Sequence, residues 1–194
     1  MPTERRKNRV KDVLSHRQPD LRVVMEDITN THNASAVVRT CDAAGILYVD
    51  IIYSRPEPFP INDSISTKTE KWIQFSHYSS TKECLRFLKK QGLKIACTHL
   101  GSEAVPYNSV DYTQPIAVVF GNESDGVSDT AMSHSDFLIQ IPMFGMVQSL
   151  NLSVSAGIIL YEACQQRRQK GLYNKSRLSK ETFKTLWNEW LDLK

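Results

Sequence analysis

The chain has 194 residues, of which 41% are hydrophobic and 23% are charged, and its formal net charge is +3. This length suits one domain with a single substantial core, and the composition excludes disordered and fibrous proteins. No apolar run reaches the roughly 18 residues of a membrane span, and none follows the basic N-terminus as a secretory signal requires. We therefore expect a cytoplasmic protein with no membrane contact.

Charge is unevenly distributed along the chain. Residues 1–24 carry seven Lys/Arg against three Asp/Glu (net +4), residues 165–194 carry eight against three (net +5), and the rest carries nine against fifteen (net −6). Basic segments at both ends of an acidic core indicate that the ends hold a polyanion. Two solubilising surface helices are the alternative explanation.

The four cysteines are widely spaced, and no Cys-x-x-Cys motif or histidine at ligand spacing accompanies them. They are Cys41, Cys84, Cys97 and Cys164, and each has apolar neighbours. This pattern predicts reduced, packed thiols and no metal site.

The first half of the chain predicts helix, strand, helix and strand. The expected elements are a basic helix over 5–17, a strand over 21–26, a helix over 34–44 that Asn33 caps and Gly45 ends, and a strand over 48–53. Residues 55–80 contain many Pro, Ser and Thr residues and predict a mostly irregular segment, in which 71–75 could form a short strand.

The second half continues the alternation. It predicts helices over 81–91, 127–132, 149–170 and 179–193, and strands over 93–98, 116–120 and 137–141. Strands alternating with helices indicate an α/β domain with a mostly parallel sheet and helices on both faces. Ligands of such sheets bind at the carboxyl ends of the strands, which directs attention to the segments after Thr98, Phe120 and Ile141.

The segment after Phe120 is Gly-Asn-Glu-Ser-Asp-Gly. It lacks the Lys-Ser or Lys-Thr of a phosphate-binding P-loop, and the chain has no Gly-x-Gly-x-x-Gly motif. A glycine directly after a strand lets a ligand approach the backbone closely. A tight polar turn is the alternative.

The segment after Ile141 is a loop, 142–148, that is unusually apolar. Either another subunit covers it or it encloses a flat, apolar ligand, and a buried crossover is a further alternative. Residues 149–155 then alternate polar and apolar side chains with the period of a strand, yet run without a turn signal into a segment long enough for a helix.

Arg39 lies opposite the apolar stripe of its predicted helix, at 34–44. A position of this kind usually belongs to a solvated surface residue. An arginine on a rigid helix near a strand end is also well placed to hold a phosphate.

Three stretches in this order, 33–45, 119–123 and 141–153, resemble the three motifs of the SpoU group of RNA 2′-O-ribose methyltransferases. The resemblance implies a C-terminal deep trefoil knot, which is rare among folds, S-adenosylmethionine (AdoMet) bound in the knot, and a homodimer whose catalytic sites use residues of both subunits. The N-terminal helix, the following Arg-Gln-Pro-Asp-Leu and the later Gly171-Leu172-Tyr173 are most similar to members that methylate guanosine 18 in the tRNA D-loop.

The resemblance also implies the roles of individual residues. By position, the catalytic set is Asn33, Arg39, Glu123, Ser149 and Asn151. The cofactor would be bound near Leu100, Gly121, Ile141, Met146, Ser149 and Leu150. Contacts to tRNA would come from Arg6, Arg9, Arg17 and Arg39. Residues 1–20 would then form a tRNA-binding helix, residues 21–170 the methyltransferase domain, and residues 171–194 a helical extension.

The chemistry implied is attack of a ribose 2′-hydroxyl on the cofactor's methyl group, which requires alignment and removal of a proton. Arginine is the family's proposed base, although its guanidinium stays protonated in proteins. We therefore expect Arg39 to grip the 3′-phosphate and to lower the pKa of the 2′-hydroxyl, while phosphate or water accepts the proton. A different RNA target, in rRNA or at the tRNA wobble position, and a non-catalytic RNA-binding module are the alternatives.

Overall fold

A seven-stranded parallel sheet forms the centre of the protein, in a computed structural model that describes residues 2–54 and 70–193. The strands are β1 (Leu21–Glu26), β2 (Tyr48–Ile52), β3 (Gln74–Tyr78), β4 (Lys94–Thr98), β5 (Val105–Pro106), β6 (Ile116–Phe120) and β7 (Phe137–Gln140). Their spatial order is β3-β2-β1-β6-β4-β7-β5, and each pair of neighbours is parallel. Strands β1 and β6 are buried along their whole length, as strands covered on both faces are.

Helices cover both faces of the sheet. They are α1 (Glu4–His16), α2 (Thr31–Ala43), α3 (Thr81–Lys90), α4 (Asp129–His134), α5 (Leu152–Gln169) and α6 (Lys180–Trp190). Helices α2 and α5 contribute to one apolar cluster, and α3 and α4 contribute to a second cluster on the opposite face. The predicted fold class, a mostly parallel sheet with helices on both faces, is confirmed.

The two basic ends of the chain meet in space. Val10 and Leu14 of α1 pack with Leu186 and Trp190 of α6 in a third apolar cluster, which also contains Leu47. Because Leu47 directly precedes β2, this helix pair lies at the amino end of the strand. The amphipathic patterns of α1 and α6 are thereby explained, since each helix buries its apolar stripe against the other and against the sheet.

Several predicted boundaries are wrong, for identifiable reasons. Helix α2 begins at Thr31 because Asn30, and not Asn33, caps it by accepting hydrogen bonds from two backbone N–H groups. The strand allowed over 71–75 lies instead at 74–78, following a 3₁₀ turn at Glu70–Trp72. The predicted irregular segment at 55–69 lies outside the described residues.

The remaining composition-based predictions concern thiols, metals and membranes. Cys41, Cys84 and Cys97 are buried, and all four cysteines are free thiols. Burial raises the pKa of Cys97 to about 12, so this thiol stays protonated at neutral pH. Within residues 2–54 and 70–193, no three His, Cys, Asp or Glu residues are grouped to hold a metal ion, and no helix is long and apolar enough to cross a membrane.

Candidate active site

A cavity of about 650 Å³ opens at the carboxyl ends of β4, β6 and β7. This is where ligands bind in parallel α/β sheets, and the volume suits a cofactor-sized molecule. All three sequence motifs reach it. Its lining includes Asn33, Leu100, Phe120, Gly121, Glu123, Asp125, Asp129, Ile139, Ile141, Ser149, Leu150 and Asn151.

Glu123 joins the second motif to the first. Its carboxylate accepts hydrogen bonds from the backbone N–H groups of Thr29 and Asn30, both at 3.2 Å, and from Nδ2 of Asn33 at 3.1 Å. These donors lie in the loop before α2 and in its first turn, where backbone N–H groups lack helical partners. Glu123 therefore stabilises the start of α2 as well as lining the cavity.

These hydrogen bonds also set the ionisation of Glu123. Burial disfavours the charged form, but the bonds from Asn33 and from the backbone N–H groups of Glu123, Thr29 and Asn30 outweigh it. The pKa of the Glu123 carboxyl therefore lies below its usual value. A carboxylate of this kind is ionised at neutral pH and is a poor proton acceptor.

Asn33 links the first motif to the third. While its Nδ2 donates to Glu123, its Oδ1 accepts a hydrogen bond of 3.1 Å from Nδ2 of Asn151. Asn151 in turn caps α5, since its Oδ1 accepts from the N–H of Ser153 at 2.9 Å. The chain of side chains from Glu123 through Asn33 to Asn151 thus connects all three motifs at the cavity wall.

The start of α5 differs from the prediction. The helix begins at Leu152 and not at Ser149, because Asn151 is its N-cap. Ser149 and Leu150 belong to the preceding loop and line the cavity. The strand-like alternation at 149–155 does not form a strand: Ser149 and Leu150 precede the helix, Asn151 caps it, and Ser153 lies in its first turn.

Gly121 allows the second motif to fold back on itself. The loop 121–128 is closed by reciprocal backbone hydrogen bonds of 2.9 Å between Asn122 and Gly126. A Cβ atom on Gly121 would lie 2.2 Å from the carbonyl atoms of Gly126, so only glycine fits at this position. Residues Gly121 to Val127 form one continuous wall of the cavity.

The cofactor residues implied by the resemblance divide into two groups. Leu100, Gly121, Ile141, Ser149 and Leu150 line the cavity. Met146 does not line this cavity, and the residue is 99% exposed, so a cofactor contact near Met146 stays a prediction. Its neighbour Phe144 is 98% exposed, and the apolar loop 142–148 therefore projects largely away from the chain.

Arg39 lies outside the cavity of its own chain. It is exposed on α2, six residues after Asn33 and thus about 9 Å further along the helix axis. It forms no hydrogen bond or ion pair with residues 2–54 and 70–193. Its guanidinium is consequently available to a group outside the chain.

The three other arginines predicted to contact RNA, which belong to the N-terminal segment, occupy different environments. Arg9 is exposed and pairs with Asp12 at 3.1 Å. Arg6 is partly exposed and donates to the carbonyl oxygen of Trp190 at 3.1 Å, at the C-terminal end of α6.

Arg17 is fully buried, so its predicted contact with RNA is wrong. Its guanidinium pairs with Asp42 and donates to the carbonyl oxygen of Ile46 at 3.0 Å. The guanidinium carbon also lies 5.3 Å from the centre of the Trp190 ring. Arg17 therefore joins α1, α2 and α6, which no local pattern indicated.

Sequence reasoning missed several residues at the cavity. The loop residues Thr29 and Asn30 act through backbone N–H groups, which carry no side-chain signal. His99 follows β4 and lines the cavity, and its place after a predicted strand was the available signal. Asp125 and Asp129 add two carboxylates to the lining.

The fold and the cavity define a ligand-binding parallel α/β domain in which three separate loops converge on one site. A model of the SpoU rRNA Methylase family matches residues 20–161. The chain belongs to this family.

Proteins of known activity or structure resemble the chain over most of its length. The tRNA (guanosine(18)-2′-O)-methyltransferase of Thermus thermophilus is 42% identical over 189 residues, covering 97% of each chain. The crystal structure of the A. aeolicus TrmH/SpoU tRNA modifying enzyme superposes with a TM-score of 0.90 at 41% identity, over 97% of this chain and 96% of the other. An AdoMet-bound rRNA methyltransferase from Sinorhizobium meliloti superposes with a TM-score of 0.68 at 27% identity, over 81% and 60%.

Proposed function

We propose that the protein is a tRNA (guanosine-2′-O-)-methyltransferase that transfers a methyl group from AdoMet to the ribose 2′-hydroxyl of guanosine 18 in the D-loop. The observation that carries this proposal is the link from Glu123 through Asn33 to Asn151, which brings the three family motifs to one cavity. The full-length relative of 42% identity with this activity supports the choice of substrate. Cytoplasmic tRNA would be the partner.

The cavity residues fit AdoMet in two respects. Apolar side chains such as Leu100, Ile139 and Ile141 offer surfaces for a flat, apolar ring, while Glu123 and Asp129 offer negative charge for a cationic ligand. When bound, AdoMet supplies an electrophilic methyl group on a sulfonium centre. The remaining tasks, which are alignment of the ribose and disposal of the proton, fall to residues of the protein and the RNA.

Arg39 has no hydrogen bond or ion pair with residues 2–54 and 70–193, and it is the residue we propose to grip the RNA. A guanidinium binds phosphate in a bidentate geometry, and its fixed positive charge lowers the pKa of a nearby hydroxyl. The RNA phosphate or a water molecule beside Arg39 accepts the proton of the 2′-hydroxyl, because the guanidinium itself stays protonated. Glu123 holds its charge and orients Asn33, and Ser149 faces the ligand.

A homodimer is part of the proposal, and three positions support it. Arg39, the α1–α6 pair and residues 144–148 all lie away from the cavity of their own chain. Helix α2 starts at the cavity and runs back towards the amino ends of the strands, where α1 and α6 pack. If a second copy of the chain brings its Arg39 to this cavity, the exposed Phe144 and Met146 would be covered at the same interface.

The basic ends would form one RNA-binding surface on each subunit, because α1 and α6 pack together. Exposed residues such as Arg5, Arg9, Lys11 and Lys184 can then neutralise phosphates. In this proposal, residues 1–20 form a tRNA-binding helix, residues 21–170 form the methyltransferase domain, and residues 171–194 form a helical extension. The deep trefoil knot implied by the family stays a prediction.

One experiment tests the proposal directly. The protein is incubated with labelled AdoMet and, in separate reactions, total tRNA and rRNA, and the methylated nucleotide is mapped. Label on the ribose of guanosine 18 is the expected result, and a tRNA transcript with 2′-deoxyguanosine at that position is the matched control that must remain unlabelled. Label only in rRNA or at the wobble position would support another target. No transfer to any RNA would leave a binding module.

A further inference from the structure

Glu26, the last residue of β1, is a buried carboxylate outside the three motifs. Only 2% of the residue is exposed. Among the described residues no basic side chain pairs with it, and its partners are two hydroxyl groups and one backbone N–H. A carboxylate buried without a counter-charge destabilises the folded state unless its hydrogen bonds compensate. The contacts of Glu26 therefore call for a functional explanation.

The hydrogen bonds of Glu26 join two helices to the end of β1. Its Oε1 accepts from Oγ1 of Thr81 at 2.5 Å, in the first turn of α3. Both oxygens are bonded to Ser128, since Oε1 accepts from Oγ at 2.7 Å and Oε2 accepts from the backbone N–H at 2.9 Å. Ser128 is also the N-cap of α4, accepting from the N–H of Ala131.

Ser128 is the residue at which the cavity wall 121–127 ends. The start of this wall is held by the next residue of the chain after Glu26, because the carbonyl oxygen of Asp27 accepts from Nδ2 of Asn122 at 2.8 Å. Asp27 has a φ of 49°, a left-handed conformation that is unfavourable for residues with a side chain. Two consecutive residues at the end of β1 thus hold both ends of the wall.

We infer that Glu26 is a positioning residue for the cofactor wall: its carboxylate fixes Ser128, and through Ser128 the loop 121–127 that lines the cavity. This inference rests on the proposed function, since it assigns the wall to AdoMet. It makes Glu26 important for cofactor affinity although the carboxylate does not itself line the cavity.

Thr81 and Ser128 provide a matched pair of variants. Thr81→Val and Ser128→Ala each remove one hydroxyl bonded to Oε1 of Glu26, but only Ser128 is continuous with the wall. Ser128→Ala removes the hydroxyl that donates to Glu26 and that also caps α4. It is expected to weaken AdoMet binding about tenfold, because both bonds hold the end of the wall. Thr81→Val is expected to lower the melting temperature and to leave AdoMet affinity within about twofold, since its hydrogen bond is remote from the wall.

We would compare the wild type, both variants and Glu26→Gln. Calorimetry measures AdoMet affinity and filter binding measures tRNA affinity, both at a temperature where each protein is folded. Thermal unfolding gives the melting temperature of each protein. Weaker AdoMet binding in Ser128→Ala and Glu26→Gln, with unchanged tRNA affinity, supports the inference. Equal effects of Thr81→Val and Ser128→Ala on AdoMet affinity, or no effect of Ser128→Ala, would overturn it, whether or not Glu26→Gln folds. A wild-type protein that does not bind AdoMet would instead refute the proposed function.

Discussion

Asn33 and Asn151 are joined by a hydrogen bond of 3.1 Å from Nδ2 of Asn151 to Oδ1 of Asn33. The bond fixes the orientation of the Asn33 amide, so that its Nδ2 points to Glu123. Residues 118 positions apart in the sequence thereby hold each other at the cavity.

Asn33→Asp replaces the donor facing Glu123 with a second carboxylate. We expect like-charge repulsion to raise the pKa of Glu123 and to lower kcat/KM about a hundredfold, because the link between the motifs is lost. His32→Ala, on the exposed neighbour in the same helix turn, is the matched control and should retain wild-type kinetics. Steady-state kinetics with tRNA measure both. Normal activity of Asn33→Asp would show that the link has no part in turnover.

Glu123 should contribute to the pH dependence of stability. Its folded pKa lies below the ordinary value of 4.5, so its stabilising contribution is present above that value and is lost as the pH falls through the folded pKa. Glu123→Gln should therefore destabilise the protein most at neutral pH, and the difference from wild type should shrink below pH 4.5. Urea unfolding of both proteins from about pH 3 to about pH 7 measures this, and a difference that does not vary with pH would contradict it.

Arg39→Ala should leave the melting temperature unchanged, because Arg39 is exposed and has no partner among the described residues of its chain. If its guanidinium serves the cavity of a second subunit, turnover should be lost while AdoMet binding is retained. Mixing Arg39→Ala and Asn151→Ala proteins after exchange of subunits should then restore about a quarter of wild-type activity, since half of the dimers are mixed and each has one intact site. Absence of any recovery would place Arg39 and Asn151 in the same functional site of one chain.

Arg9 and Arg17 should give opposite results although both belong to the basic N-terminal segment. Arg9→Ala removes an exposed charge and should weaken tRNA binding, with little change in stability. The slope of the logarithm of tRNA affinity against the logarithm of salt concentration should become shallower by about one. Arg17→Ala leaves Asp42 without its buried partner and should lower the free energy of unfolding by about 3–5 kcal/mol. Salt-dependent filter binding and urea unfolding separate the two. Equal stability loss in both variants would contradict the burial of Arg17.

Gly121→Ala should disrupt the cavity wall, because the new Cβ would meet the backbone of Gly126 at 2.2 Å and the nitrogen of Val127 at 2.3 Å. A backbone cannot withdraw as a flexible side chain can, so we expect AdoMet affinity to fall at least about tenfold. Gly145→Ala is the control, since a Cβ there has no atom within 4 Å. Titration calorimetry compares them, and full AdoMet affinity in Gly121→Ala would mean that the wall does not contact the cofactor.

Much of the architecture follows from local patterns. An uninterrupted apolar run predicts the strand at 116–120, which is present with those bounds and buried throughout. The strand at 21–26 is likewise predicted in full. Such patterns succeed because a strand covered on both faces consists mainly of apolar residues, and this composition is visible within five or six residues.

The site is found by a combination of pattern and resemblance. The rule that ligands bind at carboxyl ends of strands selects the segments after Thr98, Phe120 and Ile141, and all three line the cavity. The roles of Asn33, Glu123 and Asn151 come from the family motifs. Their mutual hydrogen bonds do not, because side-chain partners distant in sequence leave no periodic signal.

What the sequence alone determined is the fold class, the order of most elements and the loops that carry the chemistry, because these depend on local hydrophobic spacing, caps and turn residues. Tertiary structure alone decided that Arg17 is buried while Arg9 is exposed, that the two basic ends pack together, and that Asn33 bridges Glu123 and Asn151. Each of these outcomes depends on contacts between segments far apart in the chain. Burial and pairing at those contacts, and not the residue type, determine the role of a charged or amide side chain.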